Sequence, residues 1–309
     1  MTISKINNMR LRSMIAVLFL SFCLTNANAQ QIFRISQYQQ HNFLLNPAAA
    51  GASDAASIGG VYRKMWQGID GGPQTTILYG DKYFASKKVG VAVVLYDDKT
   101  GPTSRTGGQV DLSYSVNLAN GRRLMFGLGG QVLQQKLDKG AIANSEYFDP
   151  NDPIMNAPGN VTKGDASAGI YYKTPTVNFG FSVQQLVQSK LDYIKGTNDT
   201  EGRQYRHYNF TADYYARTDE DNVLVPNVLV RYLPNAPVDI EGGVRLEHKD
   251  ILWVGFNYHY KQSYAVFAGV KINHKLAIGY AYDTYKTPLS IFDDGGDAHE
   301  ISLRYFFKK

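Results

Sequence analysis

Residues 110–118 read Val-Asp-Leu-Ser-Tyr-Ser-Val-Asn-Leu, so apolar or aromatic side chains alternate with polar ones at every step. Successive side chains of a β-strand point to opposite faces, and this stretch therefore has one apolar and one polar face. The same alternation returns in residues 177–183, 238–246 and 301–307, whereas no helical stripe is convincing after Gly51. The pattern predicts an all-β chain.

About fourteen segments show this alternation, and an even number of antiparallel strands is typical of bacterial outer-membrane barrels. Most segments exceed the roughly 5–6 residues of soluble strands and match the roughly 9–11 residues of tilted membrane strands. We therefore predict an antiparallel transmembrane β-barrel. Its predicted strands lie near 55–66, 74–83, 88–97, 106–118, 123–136, 165–173, 177–185, 206–216, 223–232, 238–247, 251–260, 263–272, 275–284 and 298–307.

The connections between these strands alternate between short and long. The short turns are 119–122, 174–175, 248–250 and 273–275, and the long connections are 137–164, 186–205 and 285–297. The Asn120-Gly121 pair is a strong hairpin signal. For a chain that starts in the periplasm, each short turn falls on the periplasmic side and each long loop outside, as in bacterial outer-membrane barrels.

The amino terminus has the pattern of a cleaved signal peptide. Three basic residues precede an apolar run over 14–24, which is shorter than the roughly 20 residues that a membrane-spanning helix needs. Residues 27–29 read Ala-Asn-Ala, which predicts cleavage before Gln30. Cys23 lies in the apolar run and leaves the mature chain without cysteine. Lipidation of Cys23 is the alternative, although Phe22 is larger than the small residue expected before a lipidated cysteine.

The composition fits a folded membrane barrel. Of the 309 residues, 19% are charged and 13% are aromatic, which argues against a disordered chain. Much of the net charge of +5 belongs to the predicted signal peptide, and no interleaved basic and aromatic patch predicts binding to nucleic acid. Aromatic side chains cluster near the strand ends, as in membrane belts. A soluble β-sandwich is the alternative, but it explains neither the strand length nor the loop asymmetry.

The polar face of the predicted strands carries charges of both signs, and an Arg or Lys facing lipid would cost about 2–4 kcal/mol near the midplane. We expect them to face the lumen, where they stabilise solvent or hold a plug or a passing ligand. These residues are Asp111, Asp213, Arg231, Asp239, Glu241, Arg245, Lys271, Glu300 and Arg304. The chain thus divides into a signal peptide (1–29), a periplasmic N-terminal segment or plug (30–52) and an outer-membrane barrel (53–309).

Residues that carry chemistry are sparse. The six histidines show no metal-ligand spacing and no local His-x-Ser motif of an outer-membrane phospholipase. The acidic stretches 148–153 and 293–297 offer carboxylates that could hold Ca²⁺, but solvated loops have the same composition. We therefore predict no enzyme, no cofactor and no resident metal, and leave calcium open.

Three stretches of the first third are more specific than a barrel pattern. The first includes Ser36-Gln37-Tyr38 and Leu45-Asn46-Pro47-Ala48-Ala49-Ala50-Gly51, the second runs from Tyr62 to Thr75 as YRKMWQGIDGGPQT, and the third is DKTGPTSRT over 98–106. As a set they resemble the PorP/SprF family of Bacteroidetes outer-membrane proteins. That family carries SQY, LNPAxAG, YRxQWxGxxGxPxT and GPxxxT at these places. This chain departs from it at Met65, usually Gln, and at Gly72, usually Ala.

The resemblance implies a non-enzymatic barrel of the type IX secretion and gliding motility system in the bacterial outer membrane. It implies a role in export or anchoring of a secreted surface protein with a type IX C-terminal signal, and contacts with other secretion components and with outer-membrane lipid. A channel or transporter for a small solute is the alternative, because fourteen strands can enclose a passage. An outer-membrane hydrolase is a third possibility, which the histidine survey disfavours.

The motifs of the two first outer loops predict a partner-binding patch. We expect Tyr62 and Trp66 on one face of the first strand and Arg63 on the other. The candidate partner-binding residues are Tyr62, Arg63, Trp66, Gly68, Gly71, Pro73, Gly101 and Pro102. The candidate plug residues are Ser36, Gln37, Tyr38, Asn46, Pro47 and Gly51. Packing that closes the barrel is the alternative role for the loop motifs.

Overall fold

The computed structural model describes residues 32–146, 148–156, 158–191, 203–234, 236–286 and 297–307. The predicted signal peptide and residues 293–296 of the second acidic stretch lie outside these ranges. No helix in the described part of the chain is long and apolar enough to cross a membrane.

Long strands make up most of the described chain. They are β1 (Ser57–Met65), β2 (Gln74–Phe84), β3 (Val89–Thr100), β4 (Thr103–Asn117), β5 (Arg123–Leu137), β6 (Asn160–Lys173), β7 (Val177–Gln184), β8 (His207–Tyr214), β9 (Ala216–Arg217), β10 (Asn222–Tyr232), β11 (Asp239–His248), β12 (Leu252–His259), β13 (Ser263–Ile272), β14 (Leu276–Tyr285) and β15 (Asp297–Phe306). One short helix, α1 (Lys139–Ala143), and a 3₁₀ turn, Pro153–Asn156, lie between β5 and β6.

The strands form one closed antiparallel barrel. Consecutive strands pair around the wall, and β1 pairs with β15 from Ser57 opposite Phe306 to Met65 opposite Ala298. The two-residue strand β9 continues β8 beyond Tyr215, and both pair with β10, so together they fill one place. The barrel therefore has fourteen strand positions, and the predicted fold class is confirmed.

The strand ends differ from the prediction at one side of the barrel. β6 begins at Asn160 rather than near 165, and β4 begins at Thr103 rather than near 106. The added residues continue the hydrogen-bonded ladders but are mostly polar, so no apolar alternation marks them in the sequence. Between β3 and β4 the two residues Gly101 and Pro102 remain as a tight turn.

The two ends of the barrel carry different connections. At one end, the turn end, all are short: 85–88, 118–122, 174–176, 218–221, 249–251 and 273–275. At the other, the loop end, they are 66–73, 101–102, 138–159, 185–206, 233–238, 260–262 and 286–296. The predicted turns thus share one end and the predicted long loops the other. The loops are not uniformly long, since 101–102 and 260–262 are as short as the turns.

The outer wall is apolar and the inner wall is polar. In β4, Leu112 and Tyr114 are exposed on the outside, whereas Asp111 and Ser113 are buried inside. A polar row ends the apolar band on the outside of four strands, because Asp97, Thr106, Gln134 and Thr162 are register partners. Strand residues beyond this row, toward the loop end, project above the apolar band as a raised sheet.

Aromatic side chains mark both edges of the apolar band. At the loop end, Tyr258 and Tyr264 stack with ring centroids 5.1 Å apart, and the Lys286 ammonium lies 4.6 and 4.5 Å from those rings. At the turn end, Tyr305 and Phe307 meet with ring centroids 5.2 Å apart. These side chains face outward, which suits rings that bury an apolar body in lipid next to a wet headgroup layer.

Candidate functional site

The lumen holds residues 32–54, here called the N-terminal segment. It contains three 3₁₀ turns, Tyr38–Gln40, Asn42–Leu44 and Pro47–Ala49. Most of its side chains from residue 35 to residue 50 are buried, although the segment contributes no strand to the wall. Its backbone must therefore find partners on the inner wall, because buried polar groups are costly without hydrogen bonds.

The segment runs along the barrel from the loop end to the turn end. Ile32 lines a small cavity with Leu233 and Pro237, which belong to a connection at the loop end. At the other extreme, the Gly51 N–H donates to the Asp81 carboxylate at 2.6 Å, close to the turn end of β2. The chain then enters β1 from the turn end.

The Ser-Gln-Tyr stretch is held by carboxylates. The backbone N–H groups of Ser36 and Gln37 donate to the two oxygens of Glu300 at 2.6 and 3.1 Å. The Ser36 hydroxyl donates to Asp283 at 2.6 Å. Arg63 lies between the two acids, with its Nη1 2.6 Å from Asp283 and 3.3 Å from Glu300, and also contacts the Ser36 hydroxyl. The arginine offsets buried negative charge that would otherwise be costly.

The next residues reach two asparagines of the wall. The Tyr38 hydroxyl donates to the Asn227 side-chain oxygen at 2.8 Å. The Gln39 amide donates to the same oxygen and to the Asn257 oxygen, both at 3.0 Å. Asn227 and Asn257 lie on β10 and β12, so two separated strands fix the same short turn.

A second group of charges lies nearer the loop end. Arg34 of the segment pairs with Glu241 at 3.4 Å and donates to the Gln262 side chain at 3.0 Å. Beside it, Arg231 pairs with Asp239 at 3.5 Å on neighbouring strands. The charges predicted to face inward thus do so, and several of them hold the segment.

The Leu-Asn-Pro-Ala-Ala-Ala-Gly stretch is held by its shape and by backbone contacts. The Asn46 side-chain oxygen accepts from the Ala48 N–H at 2.9 Å and caps the 3₁₀ turn that Pro47 starts. The Asn46 amide donates to the carbonyls of Ile170 and Phe181 at 3.0 and 3.3 Å. One side chain therefore ties the turn to both β6 and β7.

Glycines of the wall make room for this turn. A Cβ at Gly127 would overlap the Ala48 backbone, one at Gly169 would overlap the Asn46 side chain, and one at Gly90 would overlap the Ala50 carbonyl. These glycines lie on β5, β6 and β3. Ala48 and Ala50, which face Gly127 and Gly90, are fully buried, so small residues on both sides allow the two backbones to approach closely there.

Charged side chains also fix the segment at the turn end. The Arg304 guanidinium donates to the Gln40 carbonyl at 2.7 Å and lies 3.5 Å from Asp81. Arg123 pairs with Asp54 at 2.7 Å, just before the segment joins β1. The segment is thus held along its whole length.

The remaining free space includes a cavity of about 340 Å³ near the turn end. It lies between the segment, at Asn42 and Phe43, and wall residues that include Trp253. Arg245 Nη1 and the side-chain oxygens of Asn42 and Asn178 face buried space without a hydrogen-bond partner among the described residues. Polar and aromatic side chains thus both line the cavity.

The loops after β1 and β3 touch each other at the loop end. Gly71 and Gly101 have positive φ angles of 76° and 54°, and the Gly101 N–H donates to the Gly71 carbonyl at 2.8 Å. The Met65 N–H donates to the Pro73 carbonyl, and the Asp138 N–H donates to the Pro102 carbonyl, each at 2.8 Å. We call Trp66, Gly68, Gly71, Pro73, Gly101 and Pro102 the rim patch.

The structure separates the other two candidate partner residues from this patch. Tyr62 faces outward on β1, whereas Arg63 is buried in the lumen with the N-terminal segment. The expectation that Trp66 continues the face of Tyr62 is wrong, because β1 ends at Met65 and Trp66 has a φ of 55°. The chain turns here to return at Pro73, and the Trp66 N–H donates to the Asp297 carbonyl at 3.1 Å.

His259 and Ser263 do not form a hydrogen-bonded pair in the described part of the chain. His259 contacts Asp239 and lies opposite Ser263 in the paired strands, but the His259 Nδ1 has no hydrogen-bond partner in the described ranges. A serine nucleophile requires such a contact with its base. In the loop 138–159, Asp149 accepts from the Asn151 N–H at 2.9 Å, and no cluster of three metal-ligating residues occurs in the part of the chain that the structure describes.

Residues 27–305 match the family described as "Type IX secretion system membrane protein PorP/SprF". The chain belongs to the PorP/SprF family. The match extends over the N-terminal segment and nearly the whole barrel wall of this PorP/SprF protein. A search of curated proteins finds no match to this chain.

Solved outer-membrane barrels have the same fold. The structure titled CymD monoaromatic hydrocarbon channel has a TM-score of 0.54 and 11% identity, and the comparison covers 91% of this chain and 95% of that one. The Ralstonia pickettii toluene transporter TbuX has a TM-score of 0.51 and 10% identity, with coverages of 86% and 93%. Such identities support the fold alone, and with the family they place this PorP/SprF protein in the outer membrane.

Sequence reasoning missed several residues that hold the segment in this PorP/SprF barrel. Arg34 and Asn42 in the segment, and Asn227 and Asn257 in the wall, are ordinary polar residues in the sequence. The glycines that face the lumen carry the one usable signal. Gly127 follows the buried Met125 on the inward face of β5, and glycine in a strand often marks a close approach of another backbone.

Proposed function

We propose that this PorP/SprF barrel binds a secreted surface protein at its loop end and helps to export or anchor it, without opening a wide pore. The main support is the N-terminal segment, which lies in the lumen and is fixed there by buried and half-buried hydrogen bonds from residue 34 to residue 51. A barrel filled in this way offers a surface to its partner. Binding and anchoring of this kind need no catalytic group.

The rim patch supports a partner site at the loop end. Gly68, Gly71, Gly101 and Pro102 are exposed, and the hydrogen bond from the Gly101 N–H to the Gly71 carbonyl joins their two loops. A preordered surface loses less conformational freedom on binding than mobile loops would. We assign Arg63 to the fixation of the N-terminal segment, and Tyr62 to the membrane face. The apolar outer wall contacts outer-membrane lipid, and the family implies further contacts with secretion components.

Affinity purification from solubilised outer membranes tests this function. The parent protein is expected to retain a large secreted protein with a type IX C-terminal signal. A variant with Trp66→Ala and Gly101→Val is expected to lose it, because Val is strained at a positive φ and disturbs the contact with Gly71. Lys261→Ser, in another connection at the loop end, is the matched control.

Heat-modifiable mobility on gels shows whether each barrel is folded. Loss of the partner with a folded barrel supports the proposal. A folded variant that still retains the partner contradicts the patch. Loss of the folded barrel itself assigns the motif to barrel closure.

A solute channel is the second candidate function. The cavity of about 340 Å³ supports it, together with the likeness in fold to barrels whose titles name hydrocarbon channels and a toluene transporter. Conductance and toluene uptake in reconstituted vesicles separate the two functions. Our proposal predicts low conductance and little toluene uptake for the parent protein, and a rise in both when residues 32–50 are deleted. A channel would show high conductance and uptake in the parent protein.

A further inference from the structure

We infer that the N-terminal segment runs through the barrel so that Ile32 lies at the opening that faces the outside of the cell. The inference concerns the side of the membrane that Ile32 faces. It is independent of the proposed secreted partner. It rests on the direction in which the segment crosses the lumen and on the connections that its two ends touch.

The contacts of the segment form a series along the barrel. Gly51 bonds to Asp81 near the turn end, and Ser36 bonds to Glu300, which lies closer to the loop end of β15. Arg34 then donates to Gln262, which belongs to a connection at the loop end itself. The amino-terminal direction is thus toward the loop end at each step of the series.

The first described residues lie at that opening. Ile32 and Phe33 line a cavity of about 50 Å³ with Tyr96 and Arg105 of the hairpin that carries Gly101 and Pro102. On the other side they line a cavity with Leu233 and Pro237. Ile32 therefore lies at the foot of the raised sheet, whose tip carries part of the rim patch.

The closure of the barrel allows this path without threading a chain through a finished ring. The segment precedes β1, and β1 pairs with β15, the last strand. The wall therefore closes only after the whole chain has been made, and it can close around a segment that already lies on the inner face. Ion pairs and glycine contacts from several separate strands then hold the segment.

Single cysteines give the test, because the predicted mature chain contains none. Ile32→Cys is the probe, Lys261→Cys is the control for the loop end and Lys249→Cys is the control for the turn end. Intact cells are treated with a membrane-impermeant maleimide, and a second sample is treated after the outer membrane is permeabilised. We expect Ile32→Cys and Lys261→Cys to be labelled in intact cells, and Lys249→Cys only after permeabilisation.

An epitope inserted directly before Ile32 gives a second readout that does not depend on the exposure of one side chain. An antibody is expected to bind it on intact cells, with heat-modifiable mobility as proof of a folded barrel. The inference is wrong if Ile32→Cys, like Lys249→Cys, is labelled only after the outer membrane is permeabilised. It is also wrong if the barrel is folded but the antibody binds the epitope only after permeabilisation.

Discussion

The two ends of the N-terminal segment are held by different physical means. Near the loop end, Ser36 and Gln37 depend on the charges of Glu300 and Arg63. Near the turn end, the Asn46–Ala50 turn depends on the absence of side chains at wall glycines and on bonds to strand carbonyls. We expect the Ser36–Gln37 stretch to be the more sensitive to changes in charge and the Asn46–Ala50 turn to be the more sensitive to changes in shape, although Arg304 and Arg123 add charged contacts at the turn end.

This difference has a functional meaning for a filled barrel. A charge cluster keeps its position only while its members stay balanced, so binding or substitution at the loop end can alter it. Glycine packing is fixed once the wall has closed. We therefore expect the turn end to act as the permanent attachment of the segment.

Gly127→Val is expected to have the largest effect, because its Cβ would overlap the Ala48 backbone and no flexible side chain can move aside. The turn that contains Ala48 should leave its site, so that proteases cut the segment and conductance rises in planar bilayers. Overpacked sites usually lose about 1–3 kcal/mol, occasionally more, and we expect a loss above that range here because the overlap is with backbone that cannot move aside.

Gly130→Val is the matched control on the same strand, since nothing lies within 4 Å of a Cβ at Gly130. It should leave conductance and protease resistance unchanged. Equal behaviour of the two variants would contradict the idea that glycine packing holds the turn end.

Arg63→Met comes next and tests the charged end. Removal of one partner from a buried ion pair typically costs about 3–5 kcal/mol, because the remaining charge is left buried without compensation. Asp283 and Glu300 would both remain beside Ser36. Urea unfolding in detergent should therefore shift to lower concentration, although the turn end stays in place and conductance rises less than in Gly127→Val.

Arg122→Met, in an exposed turn, controls for the loss of a positive charge and should unfold as the parent does. A double variant with Arg63→Met and Glu300→Gln should recover part of the loss, since it removes one of the uncompensated acids. Absence of any recovery would mean that Arg63 acts through packing alone.

The strands could be predicted from the sequence because each side chain of the barrel wall faces one of two environments, the lipid or the lumen. Period-two alternation reports this directly, as residues 110–118 show. The charges of Glu300 and Arg304 could likewise be assigned to the lumen, because lipid excludes them. The start of β6 at Asn160 could not be found, since neither face of the raised sheet touches lipid.

The path of the N-terminal segment lies beyond such reasoning. Gly90, Gly127 and Gly169 meet one turn of the segment, although they lie on three different strands. Alternation shows that such residues face inward. It does not show which of them lie at the same level along the barrel axis. The role of Arg63 was missed for the same reason, because its partners Asp283 and Glu300 are more than two hundred residues away in the sequence.

Asn46→Ala should have an intermediate effect. It removes the cap on the Ala48 N–H and the donor to the carbonyls of Ile170 and Phe181, and a buried group left without its partner costs about 1–3 kcal/mol. Urea unfolding measures the change. Asn46→Asp separates the two contributions, because it keeps the cap but not the donor. Asn117→Ala, on an exposed site, is the control, and a loss as large there would contradict the assignment.

Tyr38→Phe should have the smallest effect, about 0.5–1.5 kcal/mol for one hydrogen bond. The Asn227 oxygen that accepts from the Tyr38 hydroxyl also accepts from the Gln39 amide at 3.0 Å, so it keeps a donor when the hydroxyl is removed. The ring still fills its buried site. Tyr260→Phe, on the outer surface, is the control in the same urea titration. A loss as large as that of Arg63→Met would show that Tyr38 carries the charged end, and the division between a charge-held and a shape-held end would then fail.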